Sequence, residues 1–388
     1  MEQMETVKSD GGMRWEMYNF SDLVNDITGG NRKFQSFEYQ ANAAFPIVDQ
    51  SEKFISGFTN ENATVKRKKD VVIFGDHTKA LKFIDFDFCL GADGVKVLEP
   101  VEELDSKFLF YFLNTITLPD VGYSRHFKFL KETRIPLPPL HIQKRIAEIL
   151  DAADALKRKD QELLKKYDEL AQAIFIDMFG DPVKNEKGWE VKKLKSITTK
   201  IGSGATPTGG KTAYKATGIS LIRSMNVYDF SFKWKDLAFI DNAQASKLNN
   251  VEVMSKDVLC NITGASVCRC SIVPDELLPA RVNQHVAIIR AKTEFLNPIF
   301  LNHLLVSNSV KTNLLGVGSG GGAVMEAITK DQLEQFEIIV PPIKIQNGFE
   351  QKINNVFGQK DIDLKSIETT DNLFQTLIQK AFKGELVA

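Results

Sequence analysis

The chain has 388 residues, of which 43% are hydrophobic and 26% charged, and its formal net charge is −1. This length predicts two or three domains, and the composition is that of a folded protein with sizeable cores. No apolar run is long enough for a membrane span, and the polar start MEQMETVKSDGG is unlike a signal peptide, so we expect a cytoplasmic protein without a membrane partner. The near-zero net charge argues mildly against a nucleic-acid binder without excluding one, because acidic surface elsewhere can balance a basic patch.

Residues 1–141 are predicted to form a first mixed α/β domain. The segments DVVIFGD, LKFIDFDF and GVKVLEP alternate or run apolar over short lengths, which is typical of strands. The segment LDSKFLFYFLN at 104–114 predicts a helix that begins after an aspartate cap. Helices between the strands are scarce, so a compact sheet or partial barrel is favoured over a doubly wound sheet.

Residues 142–180 are predicted to form a long spacer helix that ends at Gly180, with Pro182 shortly after. At 1.5 Å per residue it would span roughly 55 Å. Its outer side is polar, so the apolar stripe needs a partner along its length. That predicted stripe comprises Ile146, Ile149, Ala153, Leu156, Leu163, Tyr167, Leu170 and Ile174.

Residues 181–343 are predicted to form a second mixed α/β domain. Its strand-like segments are GISLIRSMNV, DVLCNITG, CRCSIVP and QHVAIIRA, and LNPIFLNHLLV at 296–306 predicts a helix with Pro298 in its first turn. The glycine-rich segment 316–327 is predicted to be a mobile loop. Cys268 and Cys270 lack zinc-ligand spacing, so we expect reduced structural thiols and no metal.

Residues 344–388 are predicted to form a second spacer helix. Its weaker stripe comprises Ile353, Phe357, Leu364, Ile367, Phe374, Ile378 and Ala381, with Lys360 and Asp371 intruding. The two spacer helices are predicted to form an antiparallel coiled coil within one chain. The alternative is two separate surface helices, each covering its own domain.

The chain repeats itself. RIPLPPLHIQKRIAEIL at 134–150 returns as EIIVPPIKIQNGFEQKI at 337–353, and Pro138 and Gln143 match Pro341 and Gln346 at the same offset of 203 (341 − 138 and 346 − 143). The upstream segments RWEMYNFSDL and GWEVKKLKSI also resemble each other. The plan is therefore domain, helix, domain, helix, with domains that are related in architecture and divergent in detail.

The segment GATPTGGKT at 204–212 is close to a phosphate-binding loop but departs from its spacing. The form G-x-x-x-x-G-K-[ST] places the first glycine where Ala205 stands, and Gly218 and β-branched residues follow where a helix should grow. A flexible surface loop, or a loop that donates hydrogen bonds to an extended polyanion, is favoured over an ATPase. No nucleophile elbow and no pair of carboxylates stands out, so no catalytic residue is proposed.

Several of these segments resemble the specificity subunits of type I restriction–modification systems. RIPLPPLHIQKRIAEILDAADAL and FIDMFGDP resemble the central region of that family, and KIGSGATPTGGKTAYKATGISLIRSMNV resembles the start of a target recognition domain. GASVCRCSIV and NQHVAIIR fit later elements of the same domain. The first domain lacks the G-x-T-P loop and carries FGDHTKALKFIDFDFCLGADG instead, which indicates a different recognition class.

The resemblance implies a non-catalytic reader of double-stranded DNA. Each recognition domain would contact one half of a split, asymmetric target, and the paired helices would fix the gap at no more than about 16 base pairs. Two methyltransferase subunits would dock and bring S-adenosylmethionine, and restriction subunits with ATP and Mg²⁺ could join them. This chain itself would hold no cofactor. A coiled-coil adaptor that binds other proteins is the alternative function.

Candidate DNA-binding residues are side chains that can donate to phosphates or base edges. In the first domain they are Lys66, Arg67, His77, Lys79, Arg125, His126 and Lys128, and in the second they are Thr206, Lys211, Tyr214, Arg223, Asn226, Asn283 and Gln284. A structural role is an equal alternative for Arg223 and Asn226, and is favoured for Asn283 and Gln284.

Overall fold

The structure is a computed structural model, and it describes residues 15–92, 94–119, 122, 124–207, 209–318 and 327–386. The chain divides into two compact units. Unit 1 comprises Met1–Glu162 and Leu364–Ala388, and unit 2 comprises Leu163–Asp363. Each unit includes part of both long helices, so the predicted boundaries at 141, 180 and 343 divide the chain in a different way and stay a prediction.

Unit 1 is a mixed α/β fold. Its elements are β1 (Met17–Asn19), α1 (Phe20–Leu23), β2 (Val24–Asp26), β3 (Phe45–Val48), β4 (Gly57–Thr59), β5 (Val71–Gly75), β6 (Leu81–Ile84), β7 (Cys89–Leu90), β8 (Val95–Pro100), α2 (Ser106–Thr115), α3 (Phe127–Leu130), β9 (Arg134–Pro136) and the first part of α4 (Leu140–Phe179). An antiparallel sheet has the order β2-β8-β5-β6, and a second sheet has the order β4-β3-β7 with β3 and β7 parallel. Strands β1 and β9 form a separate pair.

The core of unit 1 forms around α2, the helix predicted at 104–114. The Asp105 carboxylate accepts hydrogen bonds from the backbone amides of Lys107 and Phe108, which satisfies two otherwise unpaired donors at the start of the helix. Phe108 and Phe112 are buried, and the ring of Phe382 lies edge-on to both at 5.2 and 5.5 Å between centroids. The carboxyl-terminal end of the chain is therefore part of this core.

Unit 2 is also a mixed α/β fold. Its elements are β10 (Val191–Lys193), α5 (Leu194–Ile197), β11 (Thr198–Ser203), β12 (Ile219–Ile222), β13 (Val227–Tyr228), β14 (Ser231–Phe232), β15 (Ala238–Ile240), α6 (Asn242–Ser246), β16 (Glu252–Val253), β17 (Val258–Asn261), β18 (Cys270–Ile272), β19 (Ala280–Val282), β20 (Val286–Ala291), α7 (Pro298–Val306), α8 (Asn308–Gly318), α9 (Lys330–Gln335), β21 (Glu337–Ile339) and the first part of α10 (Ile343–Lys383). Its larger sheets have the orders β11-β20-β17-β18 and β15-β12-β19-β16.

The two units repeat one strand order. The antiparallel sheet β2-β8-β5-β6 corresponds to β11-β20-β17-β18, and the parallel pair β3 and β7 corresponds to β12 and β19. The pair β1 and β9 corresponds to β10 and β21. The internal repeat of the sequence is therefore a repeat of topology, and the predicted fold of small mixed sheets with two long helices is confirmed.

The repeated glutamines, Gln143 and Gln346, make equivalent hydrogen bonds in the two units. The fully buried Gln143 amide donates to the carbonyls of Glu103 and Pro138 and accepts from the Asp105 amide, all at 2.8 Å. Gln346, also fully buried, donates to Phe295 and Pro341 at 3.0 and 2.6 Å and accepts from the Asn297 amide at 2.9 Å. Each glutamine therefore ties the double-proline turn and the start of a long helix to the cap of the preceding short helix.

The long helices α4 and α10 pair in opposite directions. In unit 2, Tyr167 donates to Asp363 at 2.6 Å and Lys360 lies 2.5 Å from Asp168. Further along α4, the ring of Phe175 lies 5.6 Å from that of Phe349. The residue numbers of the contacts on α10 therefore decrease as those on α4 increase, which is expected for an antiparallel pair. In unit 1, Lys157 pairs with Asp371 at 3.0 Å.

The predicted apolar stripe of α4 is confirmed at Ile146, Ala153, Tyr167 and Ile174, which are buried or half-buried, and is displaced by one residue at the positions between them. Leu156, Leu163 and Leu170 are 47%, 37% and 45% exposed. The less exposed positions follow each of them and comprise Lys157, Leu164 and Ala171, and Phe175 and Phe179 are buried further on. The α10 stripe agrees with the prediction except at Leu364, which is 38% exposed.

The predicted mobile loop at 316–327 is corrected at its start, because α8 continues to Gly318. Residues 319–326 lie outside the described residues, and Ala327 forms a bridge with Thr263. None of the helices formed by the described residues has the length and hydrophobicity needed to cross a membrane.

Candidate nucleic-acid interface

Four chain segments of unit 2 meet where the strands of its two larger sheets end. They follow β11, β12 and β17 and connect β19 to β20, and they comprise 204–206, 223–226, 262–266 and 283–285. Backbone hydrogen bonds join them, because Gly204 donates to Asn283 at 3.1 Å, Asn283 donates to Ile222 at 3.0 Å and Ile262 donates to His285 at 3.0 Å. We call these four segments the unit 2 loop surface.

The G-x-T-P segment begins with a glycine, Gly204, because no side chain would fit at this position. A Cβ atom at this position would lie 1.8 Å from the carbonyl oxygen of Val282. Its absence lets the segment approach β19 closely enough for the hydrogen bond to Asn283. The glycine thus fixes where Thr206 lies relative to the connection between β19 and β20.

A chain of polar side chains crosses the unit 2 loop surface. The Thr206 hydroxyl donates to Oε1 of Gln284, and Nε2 of Gln284 lies 3.1 Å from Nε2 of His285. Nδ1 of His285 lies 2.5 Å from the hydroxyl of Thr263. Amide, imidazole and hydroxyl groups can both donate and accept, which is what discrimination between base edges requires. Thr206 and Gln284, two of the predicted residues, are brought together here.

Arg223 and Tyr214 also lie together, since the guanidinium carbon of Arg223 is 5.4 Å from the centroid of the Tyr214 ring. The guanidinium donates to the carbonyl of Asp236, a contact that holds it beside the surface. Asn226 is different, because it is fully buried, accepts from the Arg223 amide at 3.1 Å and donates to the Lys233 carbonyl at 2.9 Å.

The buried asparagines of unit 2 position its loops. Asn283 is 4% exposed and accepts from the His285 amide at 3.0 Å, so its side chain shapes the β19–β20 connection. Asn226 closes the turn after β12 in the same way. Burial and these hydrogen bonds favour the structural roles, which were the equal alternative for Asn226 and the favoured interpretation for Asn283 from the sequence, and their DNA contacts stay predictions.

The GGKT segment does not open a helix of the kind that holds nucleotide phosphates. Gly210–Ala213 is a single 3-10 turn, closed by a hydrogen bond from the Thr212 hydroxyl to the Gly209 carbonyl at 2.8 Å. This agrees with the sequence argument against an ATPase. The side chain of Lys211 lies outside what the structure describes, so its predicted DNA contact stays a prediction.

The corresponding surface of unit 1 forms around Asp76, which follows β5. Its backbone amide donates to Gly94 at 2.6 Å, and its carbonyl accepts from the backbone amide of His126 at 2.8 Å. The hydroxyl of Thr78 donates to the carbonyl of Gln50, after β3, at 2.5 Å. We call residues 49–50, 76–79, 94 and 124–128 the unit 1 loop surface.

Most of the predicted unit 1 residues belong to this surface. His77 and Lys79 lie on the loop after β5, and Arg125 and Lys128 are exposed beside it. His126 is 1% exposed, and its Nδ1 lies 3.1 Å from the Asp76 carbonyl. This contact favours a positioning role for His126, and its predicted contact with DNA stays a prediction.

Lys66 and Arg67 are not brought to the unit 1 loop surface. They precede β5, whereas Asp76 follows it, so the length of the strand separates them. Arg67 is mostly buried and pairs with Asp70 at 3.2 Å and Asp87 at 3.8 Å. These contacts give Arg67 a structural role, and Lys66 is exposed at the far end of the strand.

Sequence reasoning missed several residues at the unit 2 loop surface. An open cavity of about 660 Å³ is lined by Met225, Tyr228, Thr263, Arg269 and His285 among others. These residues come from separate segments that only the sheet brings together, and His285 alone had a signal, since it follows Gln284. Among the described residues, no group of three or more histidine, cysteine or acidic side chains could hold a metal, and the four cysteines are free and buried.

Comparison with known proteins places the chain in a family. The type I restriction modification DNA specificity domain matches residues 13–166 and 186–372, so each match covers one copy of the repeated strand order. The chain belongs to the family of type I restriction–modification DNA specificity domains. This is a family of DNA specificity components and not of coiled-coil adaptors, and the resemblance seen in the sequence is confirmed.

Relatives and a solved structure agree with this assignment. The specificity subunit of the type I restriction enzyme EcoBI from Escherichia coli is 26% identical over 67% of this chain, and the match spans 60% of that subunit, less than two thirds of its length. The MjaVIII specificity subunit from Methanocaldococcus jannaschii is 23% identical, with 98% of this chain and 96% of that one covered. A type I S subunit from M. genitalium, 14% identical, shares the fold over 97% of this chain and 98% of its own, with a TM-score of 0.57.

Proposed function

We propose that this chain is the DNA-reading subunit of a type I restriction–modification enzyme, and that each of its two loop surfaces reads one half of a split target. The observation that carries the proposal is the repeated strand order, which presents two loop surfaces at equivalent positions. Membership of the DNA specificity family supports the same function. The chain would supply recognition and leave catalysis to its partners.

The two half-sites are proposed to differ in sequence, because equivalent positions carry different chemistry. Asp49 and Gln50 follow β3, where Arg223 and Ser224 follow the equivalent β12. Gly91, Ala92 and Gly94 lie between β7 and β8, where Asn283 to His285 connect β19 and β20. Base edges are distinguished by their patterns of donors and acceptors, so different side chains on one scaffold select different bases.

The proposed partners are double-stranded DNA and the other subunits of the enzyme. Two methyltransferase subunits would bring S-adenosylmethionine, and restriction subunits would bring ATP and Mg²⁺. Two reading surfaces in one chain support this arrangement, because contact with the first half-site makes contact with the second intramolecular and raises affinity without new surface.

Methylation mapping tests the proposal. The chain is expressed with its methyltransferase partner in a host that lacks DNA methylation, and the methylated positions are mapped across the genome. We expect one motif made of two short blocks separated by unread base pairs. A continuous motif, or methylation without sequence preference, contradicts the proposal.

Variants assign the blocks to the units. Gln284→Ala removes an exposed side chain that spans Thr206 and His285, and is expected to relax the sequence of one block only. The loss of discrimination against a wrong base should be about 1–3 kcal/mol. Lys79→Ala, on the unit 1 loop surface, should leave that block unchanged. Equal relaxation of both blocks by either variant would refute the division of labour.

A further inference from the structure

Two cations converge on one tyrosine beside the unit 2 loop surface. Tyr228 ends β13, and Lys233 follows β14, the other strand of that hairpin. Nζ of Lys233 lies 3.9 Å from the centroid of the Tyr228 ring, and the guanidinium carbon of Arg269, which precedes β18, lies 4.5 Å from it. The hairpin and the β17–β18 connection therefore bring together residues from sequence positions about forty apart.

These two cations are not neutralised by the protein in the part of the chain that the structure describes. Some cations of unit 2 have carboxylate partners, such as Arg290 with Asp257 at 2.7 Å, whereas no such ion pair joins Lys233 or Arg269 among the described residues. Asp229 follows Tyr228 directly, but its carboxylate pairs with Lys311 and accepts from the Cys270 amide at 3.1 Å. Two positive charges beside one ring and without a carboxylate partner raise the free energy of the folded state, and a bound anion would lower it.

The tyrosine responds to these charges. The ammonium of Lys233, and to a smaller extent the guanidinium of Arg269, lower the pKa of Tyr228 from its usual value. A phenol beside two cations is polarised as a hydrogen-bond donor. The cluster thus offers an ammonium, a guanidinium and a hydroxyl at one place, all of which can donate to an anionic oxygen.

The cluster shares one concave surface with the residues of the unit 2 loop surface. Tyr228 and Arg269 line the open cavity of about 660 Å³ together with Thr263 and His285. His285 is also part of the polar chain that includes Gln284 and Thr206. A DNA duplex that contacts that polar chain would therefore lie against the cavity that Tyr228 and Arg269 line.

We propose that Tyr228, Lys233 and Arg269 bind a backbone phosphate of the DNA at the half-site read by unit 2. This deepens the proposed function and rests on it. A phosphate is favoured over a base because the cluster carries two positive charges without a carboxylate partner, and a phosphate supplies negative charge whereas base edges are neutral. The cluster would fix the position of the duplex on the loop surface and contribute to affinity for any sequence.

The test measures DNA affinity of the complex with the methyltransferase subunits, using a duplex that carries the mapped target and a scrambled duplex of the same composition. Lys233→Gln and Arg269→Gln are expected to weaken binding to both duplexes by roughly tenfold each, the loss of one charge-assisted hydrogen bond. In the double variant, the slope of log affinity against log salt concentration should fall by about 1, as for one phosphate.

Lys256→Gln is the matched control. This exposed lysine precedes β17, whereas Thr263 lies beyond the end of that strand, and the substitution removes the same charge away from the cluster. It should leave both affinities and the salt slope close to those of the unchanged complex. Lys233 is exposed as well, so Lys233→Gln keeps the fold even if Arg269→Gln does not, and melting temperatures are measured beside each affinity.

Three results would overturn the phosphate assignment. If the DNA affinities of the Lys233→Gln complex equal those of the Lys256→Gln complex, Lys233 does not bind a phosphate. Weakening confined to the target duplex with an unchanged salt slope would indicate a base contact. Unchanged DNA affinity with loss of methyltransferase assembly would indicate an acidic protein surface as the ligand. If the unchanged complex does not prefer its target at all, the proposed function fails, which is a separate outcome.

Discussion

Replacing Gln346 by leucine should destabilise unit 2 strongly, although the change keeps the side chain near its original volume. Gln346 is fully buried and makes three hydrogen bonds with main-chain groups, to the carbonyls of Phe295 and Pro341 and from the amide of Asn297. Leucine makes none of them. The Asn297 amide and the Pro341 carbonyl then stay buried without this partner.

The magnitude follows from the cost of an unsatisfied buried group, about 1–3 kcal/mol for each. The two buried groups together give about 2–6 kcal/mol, to which the partly buried carbonyl adds less, and this is a large fraction of the stability of an ordinary domain. Gln143→Leu should have an effect of similar size in unit 1, because Gln143 makes the equivalent three bonds at 2.8 Å.

Urea unfolding followed by circular dichroism measures the change, with Gln351→Leu as the control. Gln351 is exposed on the same helix, so its replacement should alter the free energy of unfolding by no more than about 0.5 kcal/mol. If Gln346→Leu costs no more than Gln351→Leu, the three hydrogen bonds are not what holds the double-proline turn to α7, and the explanation of the repeated glutamine is wrong.

Three further outcomes are expected. Burial lowers the pKa of His303 to about 3, so between that value and about 6.5 the unfolded state binds more protons, and stability should fall as pH falls through this window. His303→Phe should flatten that dependence in urea unfolding at pH 7, 5 and 4. Removing the ion pair of Lys360 with Asp168, which is partly exposed, should cost only about 0.2–1 kcal/mol and less at high salt, as measured by a double-mutant cycle. The four cysteines are buried, so the folded chain should react with a thiol reagent far more slowly than the chain in urea.

The fold was predictable where one local signal repeats. The offset of 203 between the double prolines predicted two domains and two helices, and the caps at Asp105 and Asn297 placed the short helices correctly. The strand order could not be predicted from the sequence, because it depends on pairing between segments that are distant in sequence, such as β2 with β8. The equivalence of the two sheets is visible only in the strand order of the folded units.

The stripe of α4 shows the limit of periodicity. Leu156, Leu163 and Leu170 give a clean seven-residue repeat, yet the face that packs inward is the adjacent one, through Ala171 and Phe175. Both faces of α4 carry apolar residues, so the sequence of α4 alone does not show which face is buried. The residues that pack against α4 determine this. Packing against Phe349 and Phe300 decides which face is buried.

The candidate site was predictable in part for the same reason. Thr206 and Gln284 lie at strand ends near recognisable motifs, so residue type and position indicated them. Tyr228, Lys233 and Arg269 belong to no motif, and only the hairpin and the β17–β18 connection bring them together. His126 was selected for its residue type, and nothing in the sequence indicated that it would be buried beside the Asp76 carbonyl.

The polar residues that interrupt the helix seam give the antiparallel pairing its register. In unit 2, Tyr167 meets Asp363 and Asp168 meets Lys360. A slip of seven residues in one direction would place Asp363 opposite Asp160, and in the other direction opposite Ile174. Two carboxylates repel each other, and a carboxylate against an apolar side chain loses its hydration without a partner. A seam made only of apolar residues would tolerate either slip. The polar residues make the seam less hydrophobic, but they select a single alignment of the two helices.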